Sequence, residues 1–536
     1  MNTVKIAQWA LKIAPFLRSL LSKIAINYLA SRTPPRPRPF SLWSEVKLAK
    51  KGDFGLVSDY TSWPSLTDRR FSSRHLPPVS QEYINSLPTN MSCEVQLGAN
   101  PSIGPVTSLF RRNGMKKDRS TVLFPYFAQW FTDSFLRIDS DDRRMNTSNH
   151  DIDLCQIYGL TEETARILRA GAGGRLASQL INGEELPEYI YELTSDGKGV
   201  RPREKFKQLP YLDKLKLILD RQGVPFERRA KSYATGLERG NSSIGYVTIS
   251  TLFLREHNRL AKELERQNPS WGDERLFQTA RMINIAMLIR IVVEDYIGHI
   301  AGTKLFVFDN TYAEDQTWYR MNWISLEFDI LYRWHGLVPD TVDVGGHKYP
   351  PPEFQNNNGL LESFGIRKLV EAASREQAGK VGLFNTPDFL LWADCMSIEM
   401  GRQFRLQPFN EYRKRFGLDP LRNWNALTRD PVVQKSLCSL YKDIDQLEFV
   451  VGLFAEETKD GALFGETLNT MVAVDAFTQA LTNPVLSRNV YNAGTLTEYG
   501  LEQIKATPDL KTLAERNTGG KSLKASFNWS ELSRAQ

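Results

Sequence analysis

Two stretches of helical periodicity near the middle of the chain restrict its architecture more than any other feature. Residues 250–267 (STLFLREHNRLAKELERQ) space Leu252, Leu254, Leu260 and Leu264 for a mostly buried stripe. Residues 277–300 are interrupted by charge only at Arg281, Arg290, Glu294 and Asp295. A helix that apolar must be covered on nearly all sides. Other helices are the available cover, because period-two alternation is sparse and no internal repeat is present. From about residue 120 onward the same periodicity dominates. The fold class is therefore mainly α: a large helical domain able to hold a cofactor between its helices.

Composition narrows the function classes. Of 536 residues, 41% are hydrophobic and 11% aromatic, enough for a substantial core and against disorder. The net charge of +6 is small for this length. The basic run at 111–119 (RRNGMKKDR) reads as a solvated loop, and with no zinc-finger spacing a nucleic-acid partner is not expected. The glycine-rich stretch at 170–174 lacks the ending of a phosphate loop and reads as a turn. Cys93, Cys155, Cys395 and Cys438 are scattered with no C-x-x-C pair, so no disulfide scaffold is expected and a reducing compartment fits. Four sequons, at Asn90, Asn146, Asn241 and Asn528, read as chance occurrences.

Residues 4–29 (VKIAQWALKIAPFLRSLLSKIAINYL) carry too many charges for a spanning helix, which needs about 20 nearly uninterrupted apolar residues. Lys12 falls where a signal peptide would have its apolar centre. On a helical wheel Lys5, Lys12 and Lys23 gather beside Gln8 and Ser19. Trp9, Ile13, Phe16, Leu17, Leu20, Leu21 and Ile24 cover much of the rest. Arg18 breaks the pattern, and Pro15 should kink or divide the segment. A broad apolar face with a lysine stripe suits a helix lying in a membrane interface, the alternative being a helix packed on the protein's own core. Residues 31–40 (SRTPPRPRPF) form a stiff exit. The expected organisation is a membrane-contacting segment at 1–40 and a catalytic body at 41–536, giving a peripheral, monotopic and intracellular membrane protein.

Residues 327–340 (EFDILYRWHGLVPD) place Tyr332 three positions before His335 with Trp334 between them, in a chain holding six histidines. Alone, this element says little. Residues 404–417 (FRLQPFNEYRKRFG) add a second, distant signal. Together the two closely resemble the cyclooxygenase branch of the animal haem peroxidase superfamily. LREHNR at 254–259, PSWGDERLFQTAR at 269–281, DIDQLEF at 443–449, LFGE at 463–466 and LFPYFAQWFTDSF at 123–135 extend the resemblance, in order, across nearly the whole body. The cysteine-rich, growth-factor-like module of the mammalian members has no counterpart here.

The resemblance implies haem b as cofactor, with His335 as proximal iron ligand and Tyr441 hydrogen-bonding toward it through water. It implies that Tyr332 carries the radical that removes a bis-allylic hydrogen from a polyunsaturated fatty acid before O2 adds. Tyr296 matches a tyrosine that hydrogen-bonds to the radical site, and Trp334 shapes the pocket. Gln129 matches a family glutamine, but Asp133 stands where the family has its distal histidine. A carboxylate serves acid–base work at neutral pH less well than an imidazole. The expected outcome is weak peroxidase turnover with oxygenase activity kept. His150, in NHDIDLCQIYG, is a candidate substitute acid–base group, with structural packing as its alternative.

The substrate channel departs too. The family holds the fatty-acid carboxylate with an arginine and a tyrosine. The tyrosine position is Thr303, and the arginine position falls near 25–27 with no basic equivalent. Lys304, Lys23 and Arg32 are the candidate cations, each lacking either the fork or the position of the family arginine. Within 470–484 (TMVAVDAFTQALTNP), Ala476 replaces the serine that aspirin acetylates and Val472 replaces a glycine, which narrows the pocket. The product is expected to be a hydroperoxide or an endoperoxide. The implied partners are a polyunsaturated fatty acid, O2, one membrane leaflet and, by family analogy, a second copy in a homodimer. Two other readings stay open: an alpha-dioxygenase acting beside the carboxylate, and a haem-binding membrane protein that no longer activates peroxide.

Overall fold

A computed structural model describes residues 15–31, 63, 67–90, 103–139, 142–459, 461–520 and 522–533. Among these, the architecture is helical. The elements used below are α1 (Pro15–Ser31), α2 (Leu123–Thr132), α3 (Ile244–Gln267) and α4 (Asp273–Ile291). A π-helical turn at Val292–Tyr296 continues α4 into α5 (Ile297–Ala301). Then follow α6 (Leu326–Leu331), α7 (Gly359–Arg375), α8 (Leu391–Gln403), α9 (Phe449–Ala455), α10 (Glu466–Leu481) and α11 (Ala493–Lys505). The sheets are four two-stranded antiparallel ribbons, one of them pairing Lys117–Thr121 with Gln377–Gly379.

The two periodic stretches become the centre of the molecule. Ser243 caps α3, its hydroxyl accepting the Tyr246 N–H at 3.3 Å. Helices α3 and α4 pack on one another, α2 lies on α3, and α11 lies on α4. A Cβ on Gly245 would meet the Tyr126 ring at 2.1 Å, so only glycine lets α2 and α3 approach this closely. The path Asp273–Ala301 is long and apolar enough to cross a membrane, yet 78% of its apolar window is buried within the protein, which marks a core helix. The charges that interrupt it are satisfied. Arg281 pairs with Glu162 at 2.7 Å, Arg290 with Glu294 at 3.4 Å, and Asp295 accepts the Leu510 N–H at 3.1 Å.

Helix α1 corrects the expected charge pattern. One face, with Ser22, Ile26 and Ala30, is buried against the body and α10. Arg18 and Lys23 are turned toward the body rather than toward headgroups. Arg18 donates to the Lys304 carbonyl at 2.8 Å, and Lys23 pairs with Asp309 at 2.7 Å. What the helix exposes is apolar: Leu17, Leu20, Ile24 and Tyr28, at helical spacing. Residues 1–14 and the proline-rich exit with Arg32 lie outside the described residues.

The cysteines give a second correction. Cys395 on α8 is disulfide-bonded, while Cys155 and Cys438 are free thiols. The bonded Cys395 departs from the expectation that the scattered cysteines form no disulfide scaffold.

Beneath α2, Arg137 and Glu238 form a buried pair at 2.9 Å, and Lys214 reaches the same carboxylate at 2.7 Å. Burial alone would raise the Glu238 carboxyl, but Arg137 and Lys214 hold it down to about 2 against an ordinary 4.5. A depressed folded value means that the stabilisation is complete above pH 4.5 and is lost as pH falls through about 2. It amounts to about 3 kcal/mol. Denaturant titrations across that window are expected to show this slope, and Glu238→Gln is expected to flatten it while costing stability at neutral pH.

Candidate active site

Short-range chemistry fixes the YRWH element. Ser325 caps α6, accepting the Phe328 N–H at 3.1 Å, and the helix ends at Tyr332 with φ −84° and ψ 29°. His335 then opens a single turn, His335–Leu337. Gly336 is wedged against the neighbouring backbone: a Cβ there would lie 2.6 Å from the Lys380 carbonyl. Its own carbonyl accepts from Asn385 at 3.2 Å and Arg112 at 3.3 Å. These contacts seat the His335 backbone.

The His335 side chain is 19% exposed, and its Nδ1 lies 2.7 Å from Asp394 Oδ1 on α8. Asp394 is 1% exposed, and its Oδ2 makes no hydrogen bond among the described residues. A buried carboxylate held by one hydrogen bond is costly unless positive charge lies nearby. Iron on the far nitrogen of His335 would supply that charge. With Nδ1 committed to Asp394, Nε2 is the nitrogen left for a metal, and a neutral imidazole suits haem iron. The residues present therefore fit the group.

Tyr332 presents a half-buried ring and a buried hydroxyl that completes no well-aligned hydrogen bond among the described residues. Its ring stacks on Trp334 at 4.5 Å and meets Phe328 edge-on at 5.1 Å. Trp334 continues the stack to Phe464 at 4.4 Å and Phe124 at 6.1 Å. Tyr296 is fully buried among Phe124, Phe127 and Phe131, at centroid distances of 5.3, 5.4 and 5.5 Å. The π turn that carries it adds a residue to the helical register and so re-aims the side chain. The Tyr332 and Tyr296 hydroxyls face one another closely enough for a side-chain hydrogen-bond interaction that lowers the Tyr332 phenol and raises the Tyr296 phenol, and neither has a better-aligned partner among the described residues. Burial pushes both phenols well above the ordinary tyrosine range. Both therefore keep their protons at neutral pH.

On α2, Gln129 is exposed although Phe127, Ala128, Trp130 and Phe131 around it are buried. Asp133 is buried at the end of the helix and committed elsewhere: Oδ2 accepts from the Tyr246 hydroxyl at 3.0 Å, and Arg239 lies 3.7 Å from Oδ1. His150 has both ring nitrogens engaged by backbone. Nδ1 accepts the Ile324 N–H at 3.2 Å and Nε2 donates to the Arg69 carbonyl. It is a packing histidine in this arrangement, not a free acid–base group.

Tyr441, expected to reach toward His335 through water, has its own direct partner. Its hydroxyl donates to Glu448 at 2.6 Å, and Glu448 in turn pairs with Arg402 at 2.7 Å. Asp394 is the residue in direct contact with His335 Nδ1. The candidate carboxylate anchors are likewise drawn away. Lys304 is 81% exposed and pairs with Glu531 at 3.0 Å, while Lys23 is held by Asp309. The Thr303 hydroxyl accepts the Leu305 N–H at 3.1 Å. Val472 and Ala476 are both buried on α10, the helix that packs against α1 and α6.

Sequence reasoning missed Asp394, and a signal existed. Leu391, Asp394, Cys395 and Ile398 share the buried face of α8. A carboxylate at an apolar-stripe position asks for a buried partner.

Residues 117–527 match the family model for animal haem peroxidase. Prostaglandin G/H synthase 1 of Mus musculus is 32% identical over 523 residues, covering 95% of this chain and 79% of that protein. Prostaglandin G/H synthase 2 of Bos taurus is 32% identical, covering 86% of this chain and 73% of that protein. The fold is shared with the fatty acid alpha-dioxygenase of Oryza sativa, at TM-score 0.66, 16% identity and coverage of 98% and 95%. Peroxidase A from Dictyostelium discoideum matches at TM-score 0.63 and 19% identity, over 86% of this chain and 95% of that one. With the family model spanning most of the sequence and His335 seated to take a metal, the chain belongs to the animal haem peroxidases and is a haem-dependent oxidoreductase.

Proposed function

We propose that the protein is a fatty-acid dioxygenase of cyclooxygenase type in which Tyr332 performs the hydrogen abstraction. The observation that carries this reading is the buried Tyr332 hydroxyl, whose one polar neighbour among the described residues is the Tyr296 hydroxyl, three residues from a histidine whose Nε2 is left for iron. Haem, when bound, supplies the one-electron oxidant. The rest falls to the chain. Trp334, Phe328 and Tyr296 hold the phenol dry and fix its direction. As a phenoxyl radical, Tyr332 takes a hydrogen atom from a bis-allylic C–H of the fatty acid and becomes a phenol again. O2 adds to the carbon radical, and the resulting peroxyl takes a hydrogen atom back from Tyr332. The net product is a hydroperoxide. Buried Val472 and Ala476, on the helix facing α6, support a narrow pocket for the acyl chain.

The exposed stripe Leu17, Leu20, Ile24 and Tyr28 supports membrane contact by α1, which extends the proposal to residues 1–40 lying on one leaflet. Replacing Leu17, Leu20 and Ile24 by serine is expected to weaken vesicle binding about tenfold or more without unfolding the body. Unchanged flotation with lipid vesicles would remove this part of the reading.

The whole reading is tested by O2 uptake of haem-loaded protein on a panel of C18 and C20 fatty acids. Uptake restricted to polyunsaturated acids supports it. No uptake, even with added peroxide, would leave a catalytically silent haem protein, and oxygen placed at C2 would indicate alpha-dioxygenation.

A further inference from the structure

Resting on His335 as the iron ligand, we propose that Asp394 is a positioning residue: it makes His335 a strong electron donor to the haem iron, and this donation offsets the missing distal imidazole in peroxide cleavage. The geometry is direct. Asp394 Oδ1 lies 2.7 Å from His335 Nδ1, and neither carboxylate oxygen has another hydrogen-bond donor among the described residues. A carboxylate that spends its only hydrogen bond on one imidazole fixes the Nδ1–H tautomer, directs the Nε2 lone pair outward and raises its basicity. Strong donation from His335 would stabilise ferric iron and favour O–O cleavage.

The two candidate acid–base groups show why this matters. Asp133 is held by Tyr246 and Arg239, and His150 is locked by backbone at both nitrogens. Both candidate acid–base groups are therefore engaged elsewhere. The reaction being assisted is the reduction of a hydroperoxide. Haem, when bound, would supply the two electrons for that O–O bond, two protons would come from solvent, and an alcohol and a water would leave. Asp394 acts on the electron side of that balance, through His335. Tyr441, bonded to Glu448, has no such contact.

The test uses the haem-loaded full chain as wild type, Asp394→Asn and Asp394→Ser. Wild-type ferrous protein is expected to show an iron–histidine stretching frequency above that of a neutral-imidazole haem complex. In Asp394→Asn the frequency should fall, and the ferric–ferrous equilibrium should move about tenfold toward ferrous, about 59 mV for a one-electron couple. Hydroperoxide cleavage in rapid mixing should slow by about tenfold. Unchanged frequency and potential in both variants, with His335 still on the iron, would overturn the proposal. If neither variant folds, the wild-type frequency decides alone, and a value equal to that of neutral imidazole overturns it. A His335→Ala protein that keeps the wild-type haem spectrum would instead overturn the ligand assignment beneath it.

Discussion

Tyr332→Phe is expected to lower fatty-acid-dependent O2 uptake by ~100-fold or more, equivalent to about 2.7 kcal/mol of barrier. Haem binding should be unchanged. The variant removes one oxygen atom and keeps the ring that stacks on Trp334 at 4.5 Å. Its effect on stability should run against its effect on activity. The Tyr332 hydroxyl completes no well-aligned hydrogen bond among the described residues and interacts only with the Tyr296 hydroxyl, a poorly satisfied state that costs up to roughly 1–3 kcal/mol in the folded protein. Losing it should leave Tm unchanged or raise it. Most buried tyrosines behave differently: Tyr412 donates to Glu327 at 3.1 Å, and its truncation to phenylalanine should destabilise. An inactive but equally stable or more stable Tyr332→Phe protein would identify a hydroxyl retained for chemistry. Tyr296→Phe gives the comparison, since its hydroxyl is also poorly satisfied but belongs to a ring enclosed by Phe124, Phe127 and Phe131.

His335→Ala is the second large effect, and it should strike twice. Haem retention is expected to be lost, with the Soret band absent from purified protein reconstituted under conditions that load the wild type. The variant also strands Asp394, which is 1% exposed and bonded to no other residue described. Removing one partner of a buried charged pair typically costs 3–5 kcal/mol, so the apoprotein should unfold at markedly lower denaturant concentration, by roughly that amount. The double variant His335→Ala with Asp394→Ala removes the stranded charge and is expected to recover much of the stability but no haem. If the single variant were as stable as wild type, Asp394 would have to be satisfied in a way that the structure does not show.

The parts legible in the sequence were those in which local pattern and tertiary demand agree. The apolar run at 277–300 could only be a covered helix, and it is the core path Asp273–Ala301. The YRWH spacing placed Tyr332 and His335 together because Ser325 and Gly336 fix the chain on either side by short-range chemistry. The failures concern which partner a polar side chain finds across space. Asp394 lies in helical surroundings near the right segments, but sequence spacing does not tell that it reaches His335 directly. The placing of Lys23 and Arg18 was illegible for a related reason, Lys5 and Lys12 of the same stripe lying outside the described residues. The wheel gives the angle of Lys23 and Arg18 around their helix, yet not which face docks, and that was settled by Asp309 and the carbonyls of Lys304 and Phe306. The Cys395 bridge was hidden because its neighbours in sequence give no pairing pattern.

The central claim is that Tyr332 hands its oxidation to the fatty acid. Freeze-quench electron paramagnetic resonance tests it most directly, on haem-loaded protein first treated with peroxide and then mixed anaerobically with a polyunsaturated fatty acid. The account predicts a tyrosyl signal, absent from Tyr332→Phe, that is replaced on mixing by a carbon-centred radical whose hyperfine pattern changes with deuterium at the bis-allylic position. A tyrosyl signal that persists in Tyr332→Phe, or one that decays at the same rate with and without fatty acid, would contradict it.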